Sequence, residues 1–332
     1  MKPLRVAQIG TGHDHAHDVM REMRVNPNFE VVAVCEDDPA YKARALTQEG
    51  YDGVPWKSYE ELLNDNTLDG VVIESEEHHL SRLAIPFAEK GMPIHLDKPG
   101  GEDPQEFARL MDIVRKNNVI FQTGYMYRYN PAVVKARELM QSGALGKILH
   151  VEAQMNLKYD AEKTAWLQKF RGGMMFFLGC HMVDLVYTFM GQPDEVIPLN
   201  ARAGNEGQDV LDFGMAVFRY PTGTSIVKSS CTELEGASRR QLVVVGTEGV
   251  VEIRPLERGV YPYDYYADAR IVLRDAAGRV RTTAFDCPKF ARYHAMMDDF
   301  AGKIRGERTP LFDYDHEEAV YNLTLQAAGM MK

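Results

Sequence analysis

From Arg5 to Thr123, short apolar and β-branched runs alternate with longer segments whose apolar residues recur every three or four positions. The runs are "RVAQIG", "EVVAVC", "DGVVIE", "MPIHLD" and "NVIFQT"; between them lie "YKARALTQEG", "HHLSRLAIPFAEKG" and "PQEFARLMDIVRKNN". Short continuous apolar runs suit strands buried on both faces, and the longer spacing suits amphipathic helices. Their alternation predicts a parallel, doubly wound sheet covered by helices, an α/β domain.

After a helix beginning near Pro131 the texture changes. Longer strands are joined by turn chemistry in "DFGMAVFRY-PTG-TSIVKSS", "RQLVVVG-TEG-VVEIRP" and "ARIVLRD-AAG-RVRTTAF". These glycine turns read as hairpins, so an α+β second half with a large, mostly antiparallel sheet is expected. The border falls near 124, giving domains 1–124 and 125–332. Two helical segments, Tyr293 to Lys303 and Glu317 to Met331, close the chain. A length of 332 residues agrees with two domains.

Composition narrows the partners. A formal charge of −10 repels phosphate backbones, which disfavours nucleic acid and leaves small molecules as the expected ligands. No run approaches the roughly 18 apolar residues of a membrane span. Cys35, Cys180, Cys231 and Cys287 are scattered, and "MKPLRVAQIG" enters the first strand without an apolar leader. A reducing, cytoplasmic location is therefore expected.

Candidate chemistry begins in "GTGHDHAHD". Gly10 and Gly12 follow a strand and precede a helical pattern, the context in which a glycine loop admits a pyrophosphate to a helix N-terminus. Gly10, Thr11, Gly12, His13, Asp14 and His15 form this loop, with His15 where a third glycine is usual. The next strand ends at Glu36, followed by Asp37 and Asp38, with no arginine beside them in sequence. A carboxylate there accepts from ribose hydroxyls and repels a 2'-phosphate, favouring NAD over NADP; the competing reading is that these carboxylates cap the next helix. Metal is the rival explanation of His13, His15 and His17, with Glu74, Glu76, Glu77, His78 and His79 as further donors. Because the chain turns into a helix there, the side chains are expected to splay along a solvated loop lip, and no metal is expected.

Three further segments carry a family resemblance: "HLDKPGG" at 95–101, "GYMYRYNPA" at 124–132 and "GGMMFFLGCHMVDL" at 172–185. In order and spacing the chain resembles the Gfo/Idh/MocA oxidoreductases, the family of glucose-fructose oxidoreductase and inositol dehydrogenase. The resemblance implies a Rossmann domain followed by an open-faced α+β domain whose sheet commonly forms oligomer contacts, so a homodimer or homotetramer is expected. It places Lys98, preceded by Asp97, at nicotinamide and substrate, and His181 as acid/base. An imidazole, titrating near 6.5, suits a group that takes and returns a hydroxyl proton. Asp184, one turn on, orients that ring or supports the helix.

Ser75, Glu76 and His78 stand beside the cofactor in this resemblance, though Glu76 and Glu77 by themselves read as solvated charges at a helix start. Tyr127 and Arg128 brace cofactor and substrate, and Trp166 and Arg171 are further substrate-side candidates. Two positions depart from the pattern: "SEEHHL" lacks the usual proline, and Phe177 stands where many relatives carry an aspartate. The resulting expectation is an NAD-dependent dehydrogenase acting on a hydroxyl of a sugar, polyol or glycoside. The alternatives are a redox-neutral enzyme with retained NAD that oxidises transiently and then cleaves a glycosidic bond, and a non-catalytic NAD-binding sensor.

Overall fold

The structure, a computed structural model, describes residues 2–204, 209–260 and 263–331. Two compact units divide the chain: the first runs to Tyr125 and takes in Tyr293–Glu318, and the second runs Met126–Arg292 and resumes at Ala319.

The first unit carries β1 (Leu4–Ile9), α1 (Ala16–Val25), β2 (Phe29–Cys35), α2 (Pro39–Ala45), α3 (Tyr59–Leu63), β3 (Gly70–Ile73), α4 (Leu80–Glu89), β4 (Ile94–Leu96), α5 (Pro104–Asn117) and β5 (Phe121–Thr123). Its sheet has the order β2-β1-β3-β4-β5, parallel throughout. All four residues of β3 and all three of β4 are buried, as strands covered on both faces require. Helix α5 shows how local sequence sets the layer. Asp103 accepts from the Gln105 N–H at 2.8 Å, Pro104 occupies the first turn, and Asn118 ends the helix with φ of 50°. Between these caps Phe107, Leu110, Met111 and Val114 form one buried stripe.

The strand order reverses direction between β1 and β3, whose carboxyl ends open a crevice at the switch point. The loops after β1 and β3 line it.

The second unit holds α6 (Pro131–Gln141), β6 (Ile148–Asn156), α7 (Ala161–Leu167), a π-helical turn at Met175–Gly179, α8 (Cys180–Met190), β7 (Glu195–Pro198), β8 (Phe213–Tyr220), β9 (Gly223–Ser230), β10 (Gln241–Gly246), β11 (Gly249–Ile253), β12 (Arg258–Val260), β13 (Asp264–Tyr266), β14 (Ala269–Arg274), β15 (Val280–Phe285) and β16 (Phe290–Ala291). Its main sheet has eight strands, β15-β14-β11-β10-β6-β9-β8-β7, antiparallel except where β6 runs beside β9. The hairpins β8–β9, β10–β11 and β14–β15 are those read from the PTG, TEG and AAG turns. A small sheet, β12-β13-β16, is an element that the sequence pattern did not announce.

Helices α9 (His294–Ile304) and α10 (Tyr314–Ala327) follow. The domain expectation, with everything from 125 to 332 in the second half, is corrected here. Met296, Met297 and Phe300 of α9 are buried, and Phe300 lies 5.8 Å from the His95 ring in β4. Lys303 donates to Gln122 of β5 at 2.9 Å, and Asp298 accepts from Asn26 and Asn28, each at 2.9 Å. An apolar face with polar anchors at both ends thus draws 293–318 back to the first sheet. Among the described residues no helix is long and apolar enough to cross a membrane.

Because Phe300 is fully enclosed in this returning helix, Phe300→Ala is expected to cost about 3 kcal/mol of stability through the cavity it leaves. Urea denaturation followed by circular dichroism checks this, and an unchanged midpoint would disprove the packing described.

Candidate active site

In the first unit the loop after β1 is pressed against the loop after β3. Gly10 has φ of +86°, and a Cβ there would lie 2.6 Å from Ser75 Cα; at Gly12 it would lie 2.8 Å from the Glu76 nitrogen. Only glycine fits either position, so this contact between backbones explains the two glycines before any ligand is invoked. Thr11 donates through its N–H and its hydroxyl to Glu36 Oε2, at 2.7 and 3.0 Å, while Asp38 N–H donates to Oε1 at 2.9 Å. Glu36 therefore ties the end of β2 to the glycine loop. Asp38 caps α2, accepting from the Ala40 and Tyr41 N–H groups, so the helix-cap reading holds for Asp38.

A cavity of about 250 Å³ opens at these strand ends, where Gly10, Glu36, Asp37, Ser75, Glu76 and Arg82 are among its lining residues. Its position at the switch point, its narrow glycine floor and its terminal carboxylate fit the adenosine half of a dinucleotide. One correction concerns Arg82. The sequence shows no arginine beside Glu36, yet α4 brings Arg82 to the same cavity, and Arg44 of α2 donates to the Thr11 carbonyl at 2.6 Å.

The histidines depart further from expectation. His13 and His15 are buried instead of splayed into solvent, with rings 4.9 Å apart, both facing Asp97. The His13 N–H donates to the Glu74 carbonyl at 2.9 Å, which turns the side chain inward beneath the loop. His17 points elsewhere, toward Asp18 at 3.6 Å, and Asp14 is half-buried. Glu76 and Glu77 are likewise buried, because α4 begins only at Leu80 and both precede it in the crevice loop. His78 lies 3.4 Å from Glu76, and its ring meets that of His79 at 3.9 Å.

Burial dominates the electrostatics here. It drives His13 down to about 3, despite the opposing pull of Asp97, so the ring is neutral. It pushes Glu77 up to about 8, and it raises Glu74 well above the carboxylate range with help from the neighbouring Asp97. Of these acids Asp97 is the one held below the usual range: burial opposes its ionisation, but the hydrogen bond from His15 and the Lys98 ammonium work the other way. Lys98 is itself buried at the end of β4, its N–H donating to Asp97 Oδ1 at 2.6 Å, and a cis bond joins it to Pro99.

In the second unit Tyr127, Arg128, His181 and Asp184 are all buried. The π-helical turn at Met175–Gly179 runs directly into α8, which carries His181, and such turns re-aim the side chains that follow them. A Cβ at Gly214 would lie 2.9 Å from that of Met175, so the sheet supports this turn closely. His181 meets the Tyr127 ring edge-on at 5.5 Å. Asp184 Oδ1 accepts from Arg128 Nε and Nη2 at 2.9 and 2.6 Å, a buried ion pair. Phe177 belongs to an aromatic cluster, parallel to Phe170 at 5.9 Å and edge-on to Trp166 at 5.0 Å, with the Lys163 ammonium 3.6 Å from the Trp166 ring. Arg171, by contrast, is exposed.

Sequence reasoning missed Glu257. It is buried and accepts from Arg240 and from Arg292, the latter through Nε at 3.0 Å and Nη2 at 2.8 Å, and these two guanidinium groups hold it ionised against its burial. Tyr127 lies against it, and burial with this negative neighbour raises the phenol's pKa. The signal was hidden because the partners lie 17 and 35 residues away in sequence.

The glycine floor, the carboxylate at the end of β2 and the parallel sheet define a dinucleotide-binding fold. Residues 4–125 match the family model described as an oxidoreductase family with an NAD-binding Rossmann fold, and residues 133–252 match the GFO/IDH/MocA C-terminal domain. The chain belongs to the Gfo/Idh/MocA family. It is 27% identical over 294 residues to D-xylose 1-dehydrogenase (NADP(+)) 2 of Haloferax volcanii, covering 88% of this chain and 86% of that protein. It is 24% identical over 252 residues to inositol 2-dehydrogenase/D-chiro-inositol 3-dehydrogenase of Lactiplantibacillus plantarum, covering 73% and 68%. In fold it is similar to levoglucosan dehydrogenase solved with NADH and levoglucosan, with a TM-score of 0.81, 17% identity and coverage of 99% and 97%.

Removing one member of the Arg128–Asp184 pair leaves a buried charge unpaired. Asp184→Ala is therefore expected to lose about 3–5 kcal/mol of stability, measured by urea unfolding. A loss below about 1 kcal/mol would show that the pair is solvated.

Proposed function

We propose that this oxidoreductase is an NAD-dependent dehydrogenase acting on a hydroxyl of a sugar, polyol or glycoside. The observation that carries the cofactor reading is the shared cavity of Gly10, Glu36 and Ser75, in which Glu36 and Asp37 oppose the one arginine, Arg82. The substrate class rests on the relatives, named as xylose and inositol dehydrogenases.

When bound, the dinucleotide supplies an acceptor for hydride from the carbinol carbon. Gly10, Thr11 and Gly12 would hold its pyrophosphate and Glu36 its ribose. His181 takes the hydroxyl proton on its imidazole, and the Lys98 ammonium donates to the oxygen as it gains charge. Arg128, fixed by Asp184, and Tyr127, set against Glu257, are positioning residues in this scheme, so Asp184 acts through Arg128. Trp166 bounds the substrate side, with Phe177 supplying an apolar surface instead of a carboxylate. The same reading places the protein in the cytoplasm as a homodimer or homotetramer joined through the eight-stranded sheet, which light scattering on the purified chain would test.

A pooled panel of sugars, polyols and glycosides, incubated with NAD in heavy water, tests the reaction. Loss of two hydrogens from one compound with matching NADH absorbance is expected; deuterium gain or glycoside cleavage without NADH would replace net dehydrogenation by transient oxidation. With the substrate in hand, Lys98→Met is expected to lower kcat at least about 100-fold while NAD affinity changes little. Retained turnover would remove Lys98 from the mechanism. NAD is expected to bind more tightly than NADP, and Glu36→Gln to weaken NAD by roughly tenfold, one charged hydrogen bond, in equilibrium fluorescence titrations. Equal NADP affinity in the unmodified protein would overturn the cofactor assignment.

A further inference from the structure

Beneath the glycine loop, His13 and Asp97 face one another in an arrangement that two hydrogen bonds define. The His15 N–H donates to His13 Nδ1 at 3.2 Å, and His13 Nε2 lies 3.1 Å from the Lys98 carbonyl oxygen. A carbonyl only accepts, so the ring proton belongs on Nε2 and the lone pair on Nδ1. That lone pair stands 3.0 Å from Asp97 Oδ2, another acceptor, and His15 Nδ1 stands 3.6 Å from the same oxygen. Two acceptors as close as His13 Nδ1 and Asp97 Oδ2 repel in a buried place, and a cation bound to both would turn that contact into an attraction.

A second observation points the same way. Both carboxylate oxygens of Glu74 and both of Glu77 are buried without a hydrogen-bond partner. Glu74 Oε2 lies 3.9 Å from His13 Nδ1, on the lone-pair side, and Glu77 Oε1 lies 3.5 Å from His13 Nε2, on the other. A buried carboxyl group that ionises must be paired or coordinate a metal.

We propose that His13, His15 and Asp97, with Glu74 as a fourth donor, bind one first-row divalent transition-metal ion. Two imidazoles with carboxylates suit zinc, iron, cobalt or manganese, and they suit calcium or magnesium, which prefer oxygen cages, poorly. Donors about 2.0–2.2 Å from a common ion stand roughly 3.0–3.6 Å apart, as the His13–Asp97 and His15–Asp97 pairs do. The His13 Nε2–H donating to a backbone carbonyl is the outer-shell bond that fixes the tautomer of a ligating histidine. The His15 side chain keeps 10% of its surface in solvent and gives the ion its way in. This reading is independent of the hydride-transfer scheme, because metal binding is measured without turnover.

The experiment uses the full chain without a polyhistidine tag, stripped with EDTA and titrated calorimetrically with zinc chloride, manganese chloride and, anaerobically, ferrous chloride. One equivalent of at least one ion is expected to bind, with affinity lowered more than about 100-fold in His15→Gln and in Asp97→Asn. A control, His78→Gln with His79→Gln, disrupts the neighbouring Glu76, His78 and His79 group and is expected to leave binding intact. The proposal is overturned if none of the three ions binds more tightly than about millimolar, or if binding survives both site variants and disappears in the control. Should the site variants fail to fold, nitrogen-15 spectra of the unmodified protein decide: zinc-induced shifts at His13 and His15 uphold the site, and shifts confined to His78 and His79 overturn it.

Discussion

The contact on which the first unit depends is the one between the backbones of its two crevice loops. With Gly10 and Gly12 lying directly on Ser75 and Glu76, neither loop has room for a side chain between them. The side chains at 13, 15, 74 and 77 must leave this plane, and they are driven into the space at the ends of β1, β3 and β4. A packing constraint on two glycines thus determines where several ionisable groups meet. The cavity on one side of the loop and the His–carboxylate cluster on the other are two results of the same close approach.

The two units treat buried charge differently. In the second, two buried carboxylates are held by arginines, Asp184 by Arg128 and Glu257 by Arg240 and Arg292, while Asp212 accepts from the backbone N–H groups of Ala203 and Gly204. These pairs are compensated within the protein and hold Arg128 and Tyr127 in place. Pairs of this kind contribute more to fixed geometry than to net stability, since desolvation offsets much of their attraction. In the first unit Glu74, Glu77 and Asp97 gather around the His13 imidazole with His15 and Lys98 alongside, and burial lifts two of the three acids, Glu74 and Glu77, above the usual carboxylate range. Such shifts concentrate where a protein handles ligands or protons.

Local rules made much of the fold legible. The parallel sheet followed from runs such as "GVVI", buried along its whole length, and α5 from Asp103, Pro104 and Asn118 at its ends. The glycine turns located three hairpins of the large sheet. What remained hidden was non-local. Whether His13 is solvated or enclosed depends on β3 and β4, some 60 and 85 residues away, and the alternation of histidines carries no trace of them. Glu257 looked like one surface acid among many until Arg240 and Arg292 were brought to it. Phe177 was recognisable as a departure from the family pattern, but its place in a stack with Phe170 and Trp166 required the π-helical turn, which no simple periodicity announces. The family resemblance supplied Lys98 and His181, whose residue types alone would have read as a surface lysine and a core histidine.

The return of α9 to the first sheet also bears on how the chain is made. Nearly 170 residues of the second unit separate Tyr125 from Tyr293. At roughly 5–20 residues per second, the ribosome releases β1 to β5 about ten to thirty seconds before the helix that covers Gly70, His95 and Gln122 exists. During that interval a parallel sheet waits with the part of one face beside α1 uncovered, while the second unit is still being synthesised. A newly made chain therefore needs its apolar surface shielded until its C-terminal segment emerges, and premature termination anywhere before 293 leaves that surface permanently uncovered.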